Sequence, residues 1–169
     1  TVIDLDRAAE LYRERDYAGA LVIYSAAARN GTIAQKQAGL LATARIQNET
    51  GKHGDAARTI QAFRATASPS AEQDRQALLL LGSSLFAKGD FGPARTALEQ
   101  YMELDGPALA YAQIYLAQID SRDGELDSAA DMIAQAVQAD LPADTSSQAH
   151  LLIAGIAVPR QTPDAATRS

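Results

Sequence analysis

Two histidines, His53 and His150, are the only imidazoles in the chain, and they stand far apart in it. Acid–base or nucleophilic catalysis needs such a group within hydrogen-bond reach of a nucleophile or carboxylate, and a metal needs several ligands at close spacing. Neither pattern occurs. His53 falls in a turn between helical stretches and His150 at the start of a last one, so an exposed or capping role accounts for both. The clustered carboxylates, Asp4 and Asp6, Glu72 and Asp74, and Asp123, Glu125 and Asp127, stand at or near expected helix starts, where unpaired N–H groups favour negative charge. Gly82-Ser83-Ser84 has neither the flanking strand nor the partner histidine of a nucleophile elbow. Gly89-Asp90-Phe91-Gly92 lacks the context of a phosphate loop. The absence of Cys removes thiolate nucleophiles, disulfides and Cys-based zinc sites. The expectation is a chain that is no enzyme, with no catalytic residue, cofactor or metal.

Binding chemistry is narrowed by charge. A net charge of -6 and a pI near 4.8, with no Lys/Arg run, argue against sequence-independent contact with nucleic acid or anionic membrane. The longest apolar run, Leu151 to Val158, is far short of the ~20 residues a membrane span needs. The chain opens at Thr1 without a targeting segment and reads as a processed or excised stretch of a longer polypeptide. Its composition suits a soluble protein of the bacterial cytoplasm or of the cell envelope, periplasmic or extracellular, alike.

The elements that would position any site are helices. Ala and Leu dominate the 47% apolar content, and both are strong helix formers. One motif recurs: Arg15-Asp16-Tyr17-Ala18-Gly19-Ala20, Gly51-Lys52-His53-Gly54-Asp55-Ala56, Gly89-Asp90-Phe91-Gly92-Pro93-Ala94 and Gly124-Glu125-Leu126-Asp127-Ser128-Ala129, at spacings of 36, 38 and 35. A glycine there permits the left-handed conformation that ends a helix. The small Ala that follows, with Tyr24 and Ala27, Ile60 and Phe63, Leu98 and Tyr101, or Ile133 and Ala136 four and seven positions later, makes a core-facing stripe. Seven positions before each turn stands another small residue, Ala8, Ala44, Gly82 or Ala117, where helices can approach closely. Capping boxes at Thr32–Gln35, Ser70–Gln73 and Thr145–Gln148, with stops at Asn30-Gly31 and Gly106-Pro107, mark further boundaries. These signals predict helices near 4–14, 17–29, 33–50, 53–66, 71–88, 91–104, 107–122, 125–139 and 146–157. A helical repeat domain then covers 1–158, and the Pro-containing 159–169 is a linker or tail.

The pattern resembles the tetratricopeptide repeat (TPR) family, whose unit is a helix–turn–helix of about 34 residues. The third unit matches best, through Leu78, Leu81, Gly82, Leu85, Gly89-Asp90-Phe91, Ala94, Leu98, Tyr101 and Leu104-Asp105-Gly106-Pro107. The first has Arg15 where Gly is usual; the second and fourth carry His53 and Leu126 at the aromatic position, and Phe63 stands where a small residue is expected. The resemblance implies an all-α solenoid, a right-handed superhelix of about four such repeats plus a terminal helix, acting as a protein–protein interaction scaffold. It also implies a concave groove lined by the first helix of each pair. In register, the groove positions are Tyr12, Arg13, Arg45, Asn48, Ser83, Phe86, Tyr111, Gln118 and Arg122; Leu41, Leu79 and Ile114 fit there or in the core between helices.

The implied partner is a protein or peptide, with no nucleic acid and no membrane span. One TPR subset grips chaperone C-terminal carboxylates with a Lys/Asn/Arg clamp, but the corresponding Leu5, Ala9, Ala42, Gln76 and Leu80 cannot do so. The alternative is a helical module of a larger envelope enzyme, such as the superhelical part of a soluble lytic transglycosylase. A terminal helix as apolar as Leu151 to Val158 either covers the fourth pair or continues into further structure, and open superhelix ends would also permit self-association.

Overall fold

The computed structural model describes residues 2–139. The expected helix at 146–157, the Thr145–Gln148 box, His150 and the 159–169 tail lie outside the described residues. Among the described residues every regular element is an α-helix: α1 (Leu5–Arg13), α2 (Tyr17–Asn30), α3 (Ile33–Glu49), α4 (His53–Arg64), α5 (Ala71–Lys88), α6 (Phe91–Glu103), α7 (Leu109–Arg122) and α8 (Leu126–Ala136). All eight fall where the capping signals and apolar periodicity place them, with ends differing by a few residues at most. The chain forms two compact units that divide between Ala97 and Leu98, within α6.

The recurring motif is a recurring backbone event. Arg15, Gly51, Gly89 and Gly124 have φ of 62°, 81°, 92° and 82°. The residue after each, Asp16, Lys52, Asp90 or Glu125, donates its N–H to Leu11 O, Gln47 O, Leu85 O or Asp120 O at 2.8, 2.7, 2.9 and 2.8 Å. These are Schellman turns, in which the left-handed residue lets the chain fold back onto carbonyls the ending helix leaves unpaired. Nothing lies within 4 Å of where a Cβ would stand at Gly89. Gly89→Ala therefore carries only the conformational cost, and a stability loss of about 1 kcal/mol is expected in urea unfolding. Arg15→Gly should act oppositely, raising stability by a few tenths of a kcal/mol, because relief of strain is partly offset by the freer unfolded chain. A Gly89→Ala protein as stable as the parent would mean that this turn does not need the left-handed residue.

Helix starts are satisfied in two ways. Asp4 and Asp16 accept from the N–H groups of Arg7 and Gly19, both at 2.9 Å. At α3 and α5, Thr32 with Gln35 and Ser70 with Gln73 form complete capping boxes. Gly31 ends α2 in extended backbone (φ -78°) rather than left-handed; a side chain there would meet Ala27 O at 2.6 Å and Gln35 Cβ at 2.7 Å.

The buried positions follow the repeat. Ala8, Ala44 and Ala117 are fully buried, Gly82 is buried, and so are Ala20, Ala56, Ala94 and Ala129 with Tyr24, Ala27, Ile60, Phe63, Leu98, Tyr101, Ile133 and Ala136. Such small residues let neighbouring helices pack closely. Gly39 of α3 takes this furthest, because a Cβ there would stand 2.6 Å from Tyr24 O and 2.9 Å from Ala28 N of α2. In the first unit α1 to α5 pack on one another in sequence order, and α3 also touches α5. In the second unit α7 and α8 close around Ala110, Ile114, Ala117, Ala129, Ile133 and Ala136. There the buried Asp120 accepts from Ser128 Oγ at 2.7 Å, and Tyr101 Oη accepts from Ala108 N–H at 2.8 Å, holding the approach to α7.

Candidate functional site

Within the first unit, α1, α3 and α5 carry six of the expected groove residues. Tyr12 is half-buried and Arg13 exposed on α1; Arg45 is exposed and Asn48 half-buried on α3; Ser83 and Phe86 are half-buried on α5. Asn48 links two neighbours, donating from Nδ2 to Ser83 Oγ at 3.5 Å and setting Oδ1 2.6 Å from His53 Nδ1. His53 is thus tied into the turn after α3. Phe86 packs edge-on against Phe91, with ring centroids 5.4 Å apart at 73°, at the turn joining α5 and α6.

Between α3 and α5 lies a cleft of about 230 Å³ lined by Leu41, Arg45, Gln76, Leu79, Leu80 and Ser83. Leu41 is 7% exposed and belongs chiefly to the core, whereas Leu79 and Leu80 remain half-exposed at the cleft wall. A guanidinium, an amide and a hydroxyl among leucines are suited to an apolar side chain with a polar or anionic group beside it.

The electrostatics of this face centre on Glu49, one helical turn beyond Arg45. Tyr12 and Tyr17 both donate their hydroxyls to it, Tyr12 to Oε1 and Tyr17 to Oε2 at 2.9 Å, and the two rings lie 5.7 Å apart. Burial, then the hydrogen bond to Glu49 and its charge, push the Tyr12 phenol up to about 12, while the nearby Arg45 charge acts the other way. Tyr17 is raised mainly by its bond to Glu49. Tyr24 is raised by burial, opposed by the charges of Arg45 and Arg13. Arg45 itself makes no ion pair or hydrogen bond among the described residues.

A pH dependence follows. The folded protein retains the Tyr12 proton above pH 10, where an unfolded tyrosine releases it, so the contribution is complete below about 10 and disappears as pH rises toward 12. Solvent screens this partly exposed group, leaving on the order of 1 kcal/mol. Urea midpoints between pH 9 and about 11.5 should fall more steeply for the parent than for Tyr12→Phe. Parallel curves would show that the Tyr12–Glu49 contact is not retained in solution.

No family model, curated protein or solved structure matches this chain. Its function must be read from its own residues.

In the second unit, Tyr111 and Gln118 are half-buried on α7 and Arg122 is exposed at its end. Gln118 Nε2 donates to Ile114 O at 3.4 Å, and Ile114, 5% exposed, is core. The carboxylate clusters sit at helix ends: Asp4 caps α1, Asp6 lies in its first turn, Glu72 and Asp74 occupy the first turn of α5, and Asp127 that of α8. Asp123 and Glu125 flank the turn between α7 and α8. Among the described residues no group of three or more His, Cys, Asp or Glu could hold a metal ion. Among them, too, no helix is long and apolar enough to cross a membrane.

A larger cleft, about 420 Å³, lies where α3 meets the end of α4, lined by Ala28, Ile33, Lys36, Leu40, Ala62, Ala65, Thr66 and Ala67. Four of its eight lining residues are alanine, and it includes no expected groove residue. Beside it the buried Gln37 donates Nε2 to Thr66 Oγ1 at 3.1 Å and Ala67 O at 2.9 Å, which anchors the segment between α4 and α5. Sequence reasoning missed Glu49, whose spacing from Arg45 suggests a simple ion pair, and treated Gln76 only as a failed clamp residue. The i, i+4 spacing was the one signal available, and it points to the wrong partner.

Proposed function

We propose that this chain is a non-catalytic interaction module, an α-solenoid of the tetratricopeptide type that holds a segment of a partner polypeptide against the first helices of its pairs. The supporting observation is the recurrence of one left-handed turn at Arg15, Gly51, Gly89 and Gly124, each bracketed by the same buried small and apolar positions. Helix pairs built this way leave the outer edges of their first helices open, and here those edges carry Tyr12, Arg13, Arg45 and Phe86. Aromatic and Arg side chains supply most of the energy in protein interfaces, because they offer large contact area with few lost rotamers. The half-exposed Leu79 and Leu80 between them suit an amphipathic or extended peptide.

The test is capture of binding partners from the protein's own cell extract by the immobilised chain. Arg45→Glu is expected to abolish capture with helical content by circular dichroism unchanged. Tyr111→Ala tests the expected groove face of α7, in the second unit, in the same way. Capture unaffected by either substitution would exclude these faces as the binding surface.

A further inference from the structure

The interaction face described above has a specific charge preference built into it, and this inference rests on the reading of that face as a peptide groove. Arg45 and Glu49 are one helical turn apart on α3, a spacing at which opposite charges ordinarily pair. They do not pair here. Both carboxylate oxygens of Glu49 are occupied by tyrosine hydroxyls, Oε1 by Tyr12 and Oε2 by Tyr17. Arg45 is left exposed, without an ion pair or hydrogen bond among the described residues, at the rim of the cleft lined by Leu41, Leu79, Leu80, Gln76 and Ser83. In a chain of net charge -6, an exposed guanidinium at the rim of an apolar cleft is a local point of opposite sign.

We propose that the α3–α5 cleft recognises an internal acidic residue of a peptide, Asp or Glu, placed next to a leucine-like side chain. The carboxylate lies coplanar with the Arg45 guanidinium against its N–H edge, which binds such groups with two parallel hydrogen bonds. The neighbouring apolar side chain enters between Leu79 and Leu80. Tyr12 and Tyr17 are positioning residues: by holding Glu49 they keep Arg45 available for the partner. Loss of both hydroxyls frees Glu49 to compete for Arg45.

The experiment is selection from a phage-displayed library of random ten-residue peptides against the full chain and its variants, followed by titration of fluorescein-labelled synthetic copies. Enriched peptides should carry Asp or Glu at a fixed offset from an aliphatic residue, and replacing that acid by its amide should weaken binding about tenfold. Selection on Arg45→Glu should exchange the acid for Lys or Arg. Tyr12→Phe combined with Tyr17→Phe should weaken the acidic peptide about threefold, while Lys36→Glu at the other cleft leaves it unchanged. Peptides enriched without an acidic preference, or with one that Arg45→Glu does not alter, would overturn the charge assignment and leave the groove reading standing. Failure to enrich any peptide would overturn both.

Discussion

Phe63→Ala is expected to remove about 3–5 kcal/mol of stability, the usual cost of emptying a large aromatic site that cannot collapse. Phe63 is fully buried in α4, the helix that packs against both α3 and α5. With domain stabilities of about 5–15 kcal/mol, such a loss leaves the protein marginal or unfolded at 37 °C. Urea unfolding followed by circular dichroism measures it directly. Phe63→Leu, which keeps most of the volume, should cost only about 1 kcal/mol. A loss below about 1 kcal/mol for Phe63→Ala would mean that α4 moves inward to fill the space. The position is informative because its counterparts in the other pairs are Ala27, Tyr101 and Ala136, all buried. Burial is common to all four positions, while the volume required at each is set by its own neighbours.

Gly39→Ala carries the second large effect, and its sign is opposite to that of an ordinary substitution in a helix. Alanine normally stabilises a helix interior relative to glycine by up to about 1 kcal/mol. At Gly39 the added methyl would meet two backbone atoms of α2, Tyr24 O at 2.6 Å and Ala28 N at 2.9 Å. Backbone cannot rotate aside as a side chain can, so α2 and α3 must separate, at a cost of about 1–3 kcal/mol beyond the propensity gain. Gly54→Ala in α4 is the matched control, because its methyl would find only Lys88 carbons at 3.8 and 3.9 Å. That variant should be more stable than the parent by about 0.5–1 kcal/mol. Thermal melts of the two proteins should move in opposite directions; movement in the same direction would refute the close approach at Gly39.

The difference between these two glycines shows where sequence reasoning stops. Helix positions were legible because capping boxes, stop signals and apolar periodicity are local, and Thr32–Gln35 and Ser70–Gln73 both form as expected. The recurring turn was legible too, even at Arg15, where the residue type argues against the left-handed conformation it adopts. Gly39 carries no such sign, since its reason lies in a neighbouring helix. At the candidate site the aromatic and Arg positions were legible by register, but the diversion of Glu49 from Arg45 to Tyr12 and Tyr17 was not. That diversion depends on side chains 37 and 32 residues away meeting one carboxylate. Leu41 and Ile114, assignable by pattern to groove or core, are core, because both are less than a tenth exposed.

The packing of α1 to α5 mainly on sequence neighbours, with α3 also touching α5 and, through Glu49, Tyr12 of α1, has a mechanical consequence. Contacts so short-ranged along the chain impose little loop-closure entropy, which favours assembly on the microsecond-to-millisecond scale. They also mean that, among the described residues, no extensive packing joins α1 directly to α5. Pulled from its two ends, this segment should yield in a series of small steps rather than in one cooperative rupture.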